Sequence, residues 1–195
     1  LPALAVTAYT QAIEQRDARA RAVADAVQVA RLAASREALA FDNAAQLLRT
    51  LALFPALRSG DSRTCGELLD ALQRQYSDYV AFGMVNLDGA TFCSTSGIKG
   101  QNQDRSWFQR AVQTRTTAVG VFQISLMTGR PAIVIGHPLL GSSGEVERVI
   151  FASIELDQLE HLVATLELPR GVQLTVFDRD RTILVRYPDP ASWIG

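Results

Sequence analysis

The first 54 residues contain no glycine and a single proline, Pro2, and that stretch constrains the chain more than anything after it. It is dense in Ala, Arg, Glu, Gln and Leu, all strong helix formers. Apolar residues recur at Val6, Tyr9 and Ile13, at Val23, Val27 and Ala30, and at Leu39, Ala40, Leu47, Leu51 and Phe54. The pattern predicts one long helix, or two nearly collinear ones, ending at Pro55. At about 1.5 Å per residue such a helix cannot lie wholly on one small domain, so its N-terminal half protrudes. The protruding part exposes an Ala-rich face. Two readings stand for it: a partner helix that makes a homodimer, or a solvated stalk, since the heptad pattern is weak.

Composition excludes several classes. The net charge of −1 and the 20% of charged residues give no bulk attraction to nucleic acid, and none is expected as a partner. No run of about 20 apolar residues is present, so no segment spans a membrane. The opening Leu1-Pro2-Ala3-Leu4-Ala5-Val6 reads as the cut end of a membrane helix, which makes the chain a piece of a longer, membrane-anchored protein. There is no phosphate loop and no dinucleotide fingerprint, and no cofactor is expected.

Beyond Pro55, Ser59-Gly60-Asp61-Ser62 is a turn and N-cap cluster that leads into a helix over 64–76, with Leu68, Leu69 and Leu72 inward. Strands follow over 80–87 and 90–95, joined at Asp88-Gly89, a hairpin signal. Further strand patterns cover 118–126, 131–140 and 146–156, with glycine-containing turns between them. Residues 156–168 are amphipathic, with Leu159, Leu162, Val163 and Leu166 on one stripe. A second β run from Gly171 to Val185 echoes the first hairpin, each placing an acidic turn between two short strands. The expected division is a protruding helix over 1–34, one module over 35–168, and the start of a second, incomplete module over 169–195.

Between the two strand groups lies Asp104-Arg105-Ser106-Trp107-Phe108-Gln109-Arg110-Ala111-Val112. Asp104 is placed to accept from orphan N–H groups at a helix start. Arg105 and Trp107 then leave the first turn together, with Phe108, Ala111 and Val112 as the buried stripe behind them. This segment, the Gly-rich β run after it and Val149-Ile150-Phe151-Ala152-Ser153-Ile154-Glu155-Leu156 resemble the extracytoplasmic Cache sensor domains of bacterial membrane receptors.

The resemblance implies an α+β fold, a long N-terminal helix packed on an antiparallel PAS-like sheet of about five strands, followed by the start of a second module. It implies the periplasmic part of an inner-membrane receptor (a histidine kinase, diguanylate cyclase or chemoreceptor) that binds a small molecule and signals through its N-terminal helix. Cache domains that recognise amino acids pair an Arg-x-Trp element with a Tyr on the next strand and an Asp two strands later. Arg105 and Trp107 match the first element, but Gln123 falls at the Tyr position and Ser153 at the Asp position. Without that Asp a buried ammonium lacks its anionic partner. A small anionic or polar metabolite is therefore expected, such as an organic acid, held by Arg105, Trp107, Phe108, Gln123, Ser125, His137 and Ser153. Gln123 and Ser125 share strand parity and can face one pocket. A purely structural role for Arg105 and Trp107 also stands. An exported domain favours a disulfide between Cys65 and Cys93, the only cysteines; two buried free thiols are the alternative.

Catalysis is not expected. Asp178-x-Asp180-x-Thr182 matches the nucleophile motif of haloacid-dehalogenase-type phosphotransferases. That family, however, places Gly where Arg181 stands and opens its fold with the motif, so a hairpin tip is the better reading. His137 and His161 are the only histidines, and neither Cys has ligand spacing for zinc, so no metal site is expected. The competing function is a protein-docking or structural module with a vestigial pocket.

Overall fold

The computed structural model describes residues 2–58, 61–164, 172–187 and 193–195. The glycine-free stretch forms a single 50-residue helix, α1 (Pro2–Leu51), about 75 Å long at the standard rise. Its last turns supply Ala44, Ala45, Leu48 and Leu51 to the core, whereas Val27, Leu32 and Leu39 are exposed. The helix stops before Pro55, which opens a one-turn helix, α2 (Pro55–Arg58).

Helix α3 (Ser62–Gln75) begins at Asp61, whose carboxylate accepts from the N–H groups of Arg63 and Thr64. Ser59 and Gly60, expected in the same turn, lie outside the described residues, as do 165–171, which hold Leu166 and the start of the second β run, and 188–192. Strands β1 (Ala81–Asn86) and β2 (Thr91–Ser94) form the first hairpin, with Gly89 at φ +83° in its turn. Helix α4 (Ser106–Thr114) follows. The expected strand over 118–126 is two short pieces, β3 (Ala118–Val119) and β4 (Gln123–Ile124), parted at Gly120 where the backbone runs against Trp107. Next come β5 (Pro131–Leu140), β6 (Val146–Glu155) and α5 (Leu156–Ala164).

These strands form one antiparallel sheet of six in the order β2-β1-β6-β5-β3, with β4 also paired to β5. The sheet thus has one strand more than the five expected, because the 118–126 segment is split. Its central strands are buried on both faces, so β5 and β6 read as nearly continuous apolar runs rather than alternating ones. Parity sorts their side chains. Ile133, Ile135, Ile150, Ala152, Ile154, Phe82 and Met84 join α1 and α3 in the larger core, while Val134, Val149, Phe151 and Val85 join α4 in a second one.

A separate hairpin, β7 (Leu174–Phe177) and β8 (Ile183–Tyr187), adds Leu174, Leu184 and Val185 to the larger core. Cys65 and Cys93 are joined as a disulfide, Cα–Cα 6.0 Å, which ties α3 to β2. Titration of the unfolded, unreduced protein should find no free thiol. The Cys65→Ser/Cys93→Ser double variant should lose about 3–4 kcal/mol of stability in denaturant melts, the chain entropy of a loop this size.

Candidate functional site

Helix α4 holds the site together. Its start is not capped by Asp104 as expected. A backbone turn closed by the Arg105 N–H on the Asn102 carbonyl (3.0 Å) moves the helix start on by one residue, so Arg105 takes the N-cap position without a side-chain cap bond. Ser106 instead turns its hydroxyl outward to accept from the Val121 N–H (3.1 Å), and Arg110 donates to the Val119 carbonyl (3.0 Å). Both bonds fasten α4 to the 119–123 segment.

Trp107 is 1% exposed and packs against the sheet at Gly136. Its ring stacks at a tilt on Phe151, centroids 5.1 Å apart. A Cβ at Gly136 of β5 would sit 2.6 Å from Trp107 Cε3, so only glycine leaves room for the indole there. Gly83 makes room in the same way for the Phe151 ring.

Between α4 and the sheet, a pocket is lined by Trp107, Gln123, Ser125, Ser153, Asn102 and Met127, and by Ala81, Val134, Phe151 and Leu126. Only about 30 Å³ of it takes the centre of a water molecule, so the side chains stand close together. Four of the residues expected from sequence thus converge. Gln123 and Ser125 do share a side, although Ser125 has already left the strand and entered the β4–β5 turn.

Three expected residues are elsewhere. Arg105 is half-buried, outside the walls, and its guanidinium has no hydrogen-bond or ion-pair partner among the described residues. Phe108 is buried in the core behind α4. His137 shares parity with Ile133 and Ile135, and so faces the α1 side of the sheet rather than the pocket. There its Nδ1 lies 2.8 Å from the Thr117 hydroxyl. Burial, and secondarily the charge of Arg49, hold its imidazole below the ordinary value of 6.5.

The polar inventory of the pocket is uneven. Trp107 Nε1 and Ser153 Oγ are buried with no hydrogen-bond partner, and each such orphan costs about 1–3 kcal/mol. Ser125 Oγ accepts from the Met127 and Thr128 N–H groups, which leaves its proton to give. The walls therefore hold donors that no protein atom meets: the Trp107 N–H, the Ser153 hydroxyl and the Ser125 proton. Two residues beyond Ser153, on the same face, Glu155 is 5% exposed; Arg130 holds one of its oxygens at 2.8 Å and the other is unpartnered. Sequence reasoning missed Glu155, although its parity with Ser153 was the available signal. Among the described residues no cluster of three or more His, Cys, Asp or Glu is placed to hold a metal.

No protein-family model matches the chain. A stretch of 84 residues, 42% of this chain, is 32% identical to sporulation kinase D of Bacillus subtilis and spans only 17% of that protein. Solved structures share the fold. The ligand-binding domain of the Pseudomonas fluorescens chemoreceptor CtaA, in complex with L-isoleucine, superposes with a TM-score of 0.71 at 18% identity, over 92% of this chain and 74% of that one. The extracellular domain of rpHK1S-Z16, designated a histidine kinase, gives 0.70 at 21% identity, over 83% and 70%. The ligand-binding domain of the Pseudomonas aeruginosa amino acid chemoreceptor PctC, in complex with GABA, gives 0.64 at 18%, over 83% and 74%. The expected α+β fold, a long helix packed on an antiparallel sheet, is the fold this chain shares with those ligand-binding domains. No helix among the described residues is long and apolar enough to cross a membrane.

Two outcomes follow from this packing. Gly136→Val should push Trp107 off the sheet and cost about 1–3 kcal/mol in denaturant melts, with a red shift of tryptophan emission. The fold disfavours the protonated form of His137, which is more basic when unfolded, so its contribution is complete above the free imidazole value and erodes as pH falls below it. His137→Gln should flatten the fall in melting temperature just below pH 6.5.

Proposed function

We propose that this chain is the extracytoplasmic ligand-sensing part of a membrane signalling receptor, and that its pocket takes a small polar or anionic metabolite rich in oxygen acceptors. The observation that carries the reading is the pair of unpartnered buried atoms, Trp107 Nε1 and Ser153 Oγ, on the walls of one pocket. Isolated orphans of this kind are costly, and a ligand oxygen relieves the indole N–H directly. Gln123 and the Ser125 proton supply further donors. Two of the solved structures that share this fold hold L-isoleucine and GABA, each of which carries a carboxylate.

No catalytic role is assigned to this fragment. In the whole receptor the ligand acts by binding one state more tightly than the other and so shifting α1. The protruding part of α1, where Leu32 and Leu39 share one exposed stripe seven residues apart, is the surface by which two copies pair.

One observation favours the second reading, a docking or structural module with a closed pocket: the walls leave room for little more than one water. A thermal-shift screen with organic acids, GABA, L-serine and L-isoleucine separates the two. The sensing reading expects at least one compound to raise the melting temperature. It also expects Trp107→Phe, which keeps a ring and removes the donor, to weaken that compound about tenfold, the worth of one buried hydrogen bond. Shifts with none of them, or equal binding by Trp107→Phe, would favour the closed module.

A further inference from the structure

The pocket-lining Gln123 belongs to a segment with very little sheet of its own, since β3 and β4 are two residues each. It is held from outside. Gly120 donates to the Val134 carbonyl (2.8 Å), Val121 to Ser106 Oγ (3.1 Å), and Phe122 to Asp178 Oδ2 (2.8 Å). The last bond reaches across 56 residues, from the β7–β8 hairpin to the residue immediately before the pocket-lining Gln123.

Asp178 is the first acid of the motif that mimics a phosphotransferase nucleophile. Its other oxygen, Oδ1, accepts from the N–H groups of Asp180 (2.9 Å) and Thr182 (2.8 Å), and Arg181 closes the turn at φ +66°. Three N–H groups therefore occupy this carboxylate, two from its own turn and one from the pocket wall. The same junction has an apolar half. Phe122 packs against the core cluster that contains Leu174, Leu184 and Val185 of the hairpin, and its ring lies beside Gly195. At the far end of the wall segment, Arg130 is paired with Glu155 and with Asp157 at the start of α5.

We propose that Asp178 is a positioning residue for the ligand pocket: by holding the Phe122 amide it fixes the Gln123 wall and makes that wall move with the β7–β8 hairpin. The inference rests on the ligand-binding reading for its meaning, but its test needs no ligand. The hairpin turn alone uses Oδ1, whereas the pocket wall uses Oδ2, so Asp178→Asn keeps an oxygen for the turn and puts an amide nitrogen, which cannot accept, against Phe122.

The experiment uses the 195-residue chain with Trp193→Phe, which leaves Trp107 as its only tryptophan. Amide exchange by NMR and quenching of Trp107 fluorescence by acrylamide are compared with and without Asp178→Asn. The expected result is about tenfold faster exchange at Phe122 and clearly stronger quenching, with Asp180, Thr182 and the β5 amides of Ile133 and Ile135 still protected. Unchanged exchange at Phe122 and unchanged quenching would overturn the proposal, and so would equal acceleration at Ile133 and Ile135, which reports loosening of the whole sheet. If the variant does not fold, the wild-type chain answers directly. A scalar coupling across the hydrogen bond between the Phe122 amide nitrogen and the Asp178 carboxyl carbon is expected, and its absence overturns the assignment.

Discussion

The seating of Trp107 on the sheet is the contact on which the rest of the site depends. An indole can pack there only because Gly136 of β5 and Gly120, between β3 and β4, carry no side chain against it. Its burial holds the first turn of α4, and α4 in turn fastens the 119–123 segment through Ser106 and Arg110. The same placement buries the indole nitrogen against the pocket and leaves it without a partner. The packing of the sheet and the unmet donor of the pocket therefore come from one side chain. The ring contributes the packing, and the N–H keeps an unmet hydrogen bond that a ligand can supply.

Much of the architecture was legible because it depends on local chemistry. The absence of Gly and Pro from most of the first 54 residues translates directly into a 50-residue helix, and Pro55 does fall just beyond its end. Asp61 caps the next helix, and Asp88-Gly89 turns the first hairpin. Side-chain parity on strands brought Gln123 and Ser125 to one side, and it also placed His137 with Ile133 and Ile135. The inclusion of His137 in the ligand set went against that parity, and the structure shows the residue on the opposite face of the sheet. Parity also carried the signal for Glu155, which a motif centred on the Ser153 position passed over.

What sequence could not supply is long-range. Nothing near Asp104 reveals that the turn at Asn102 shifts the helix start and moves Arg105 to its cap, away from the walls. Nothing near Asp178 reveals an amide 56 residues earlier as its partner. The close approach of Gly120 to Trp107, which divides one expected strand into two, is equally invisible until the helix and sheet are packed. These features decide how the pocket is walled and tethered, whereas the local ones decide only that a sheet, a helix and a pocket between them exist.

On the proposed function, the buried indole N–H of Trp107 is the donor that a ligand oxygen meets. Its most direct test follows the Trp107 indole proton by NMR through titration with small carboxylates and neutral polar metabolites, with the exposed Trp193 as the internal reference. A binding compound is expected to move the Trp107 indole proton downfield and slow its exchange with solvent, while Trp193 is unchanged. A compound that binds and stabilises the protein yet leaves the Trp107 indole proton where it was would contradict it.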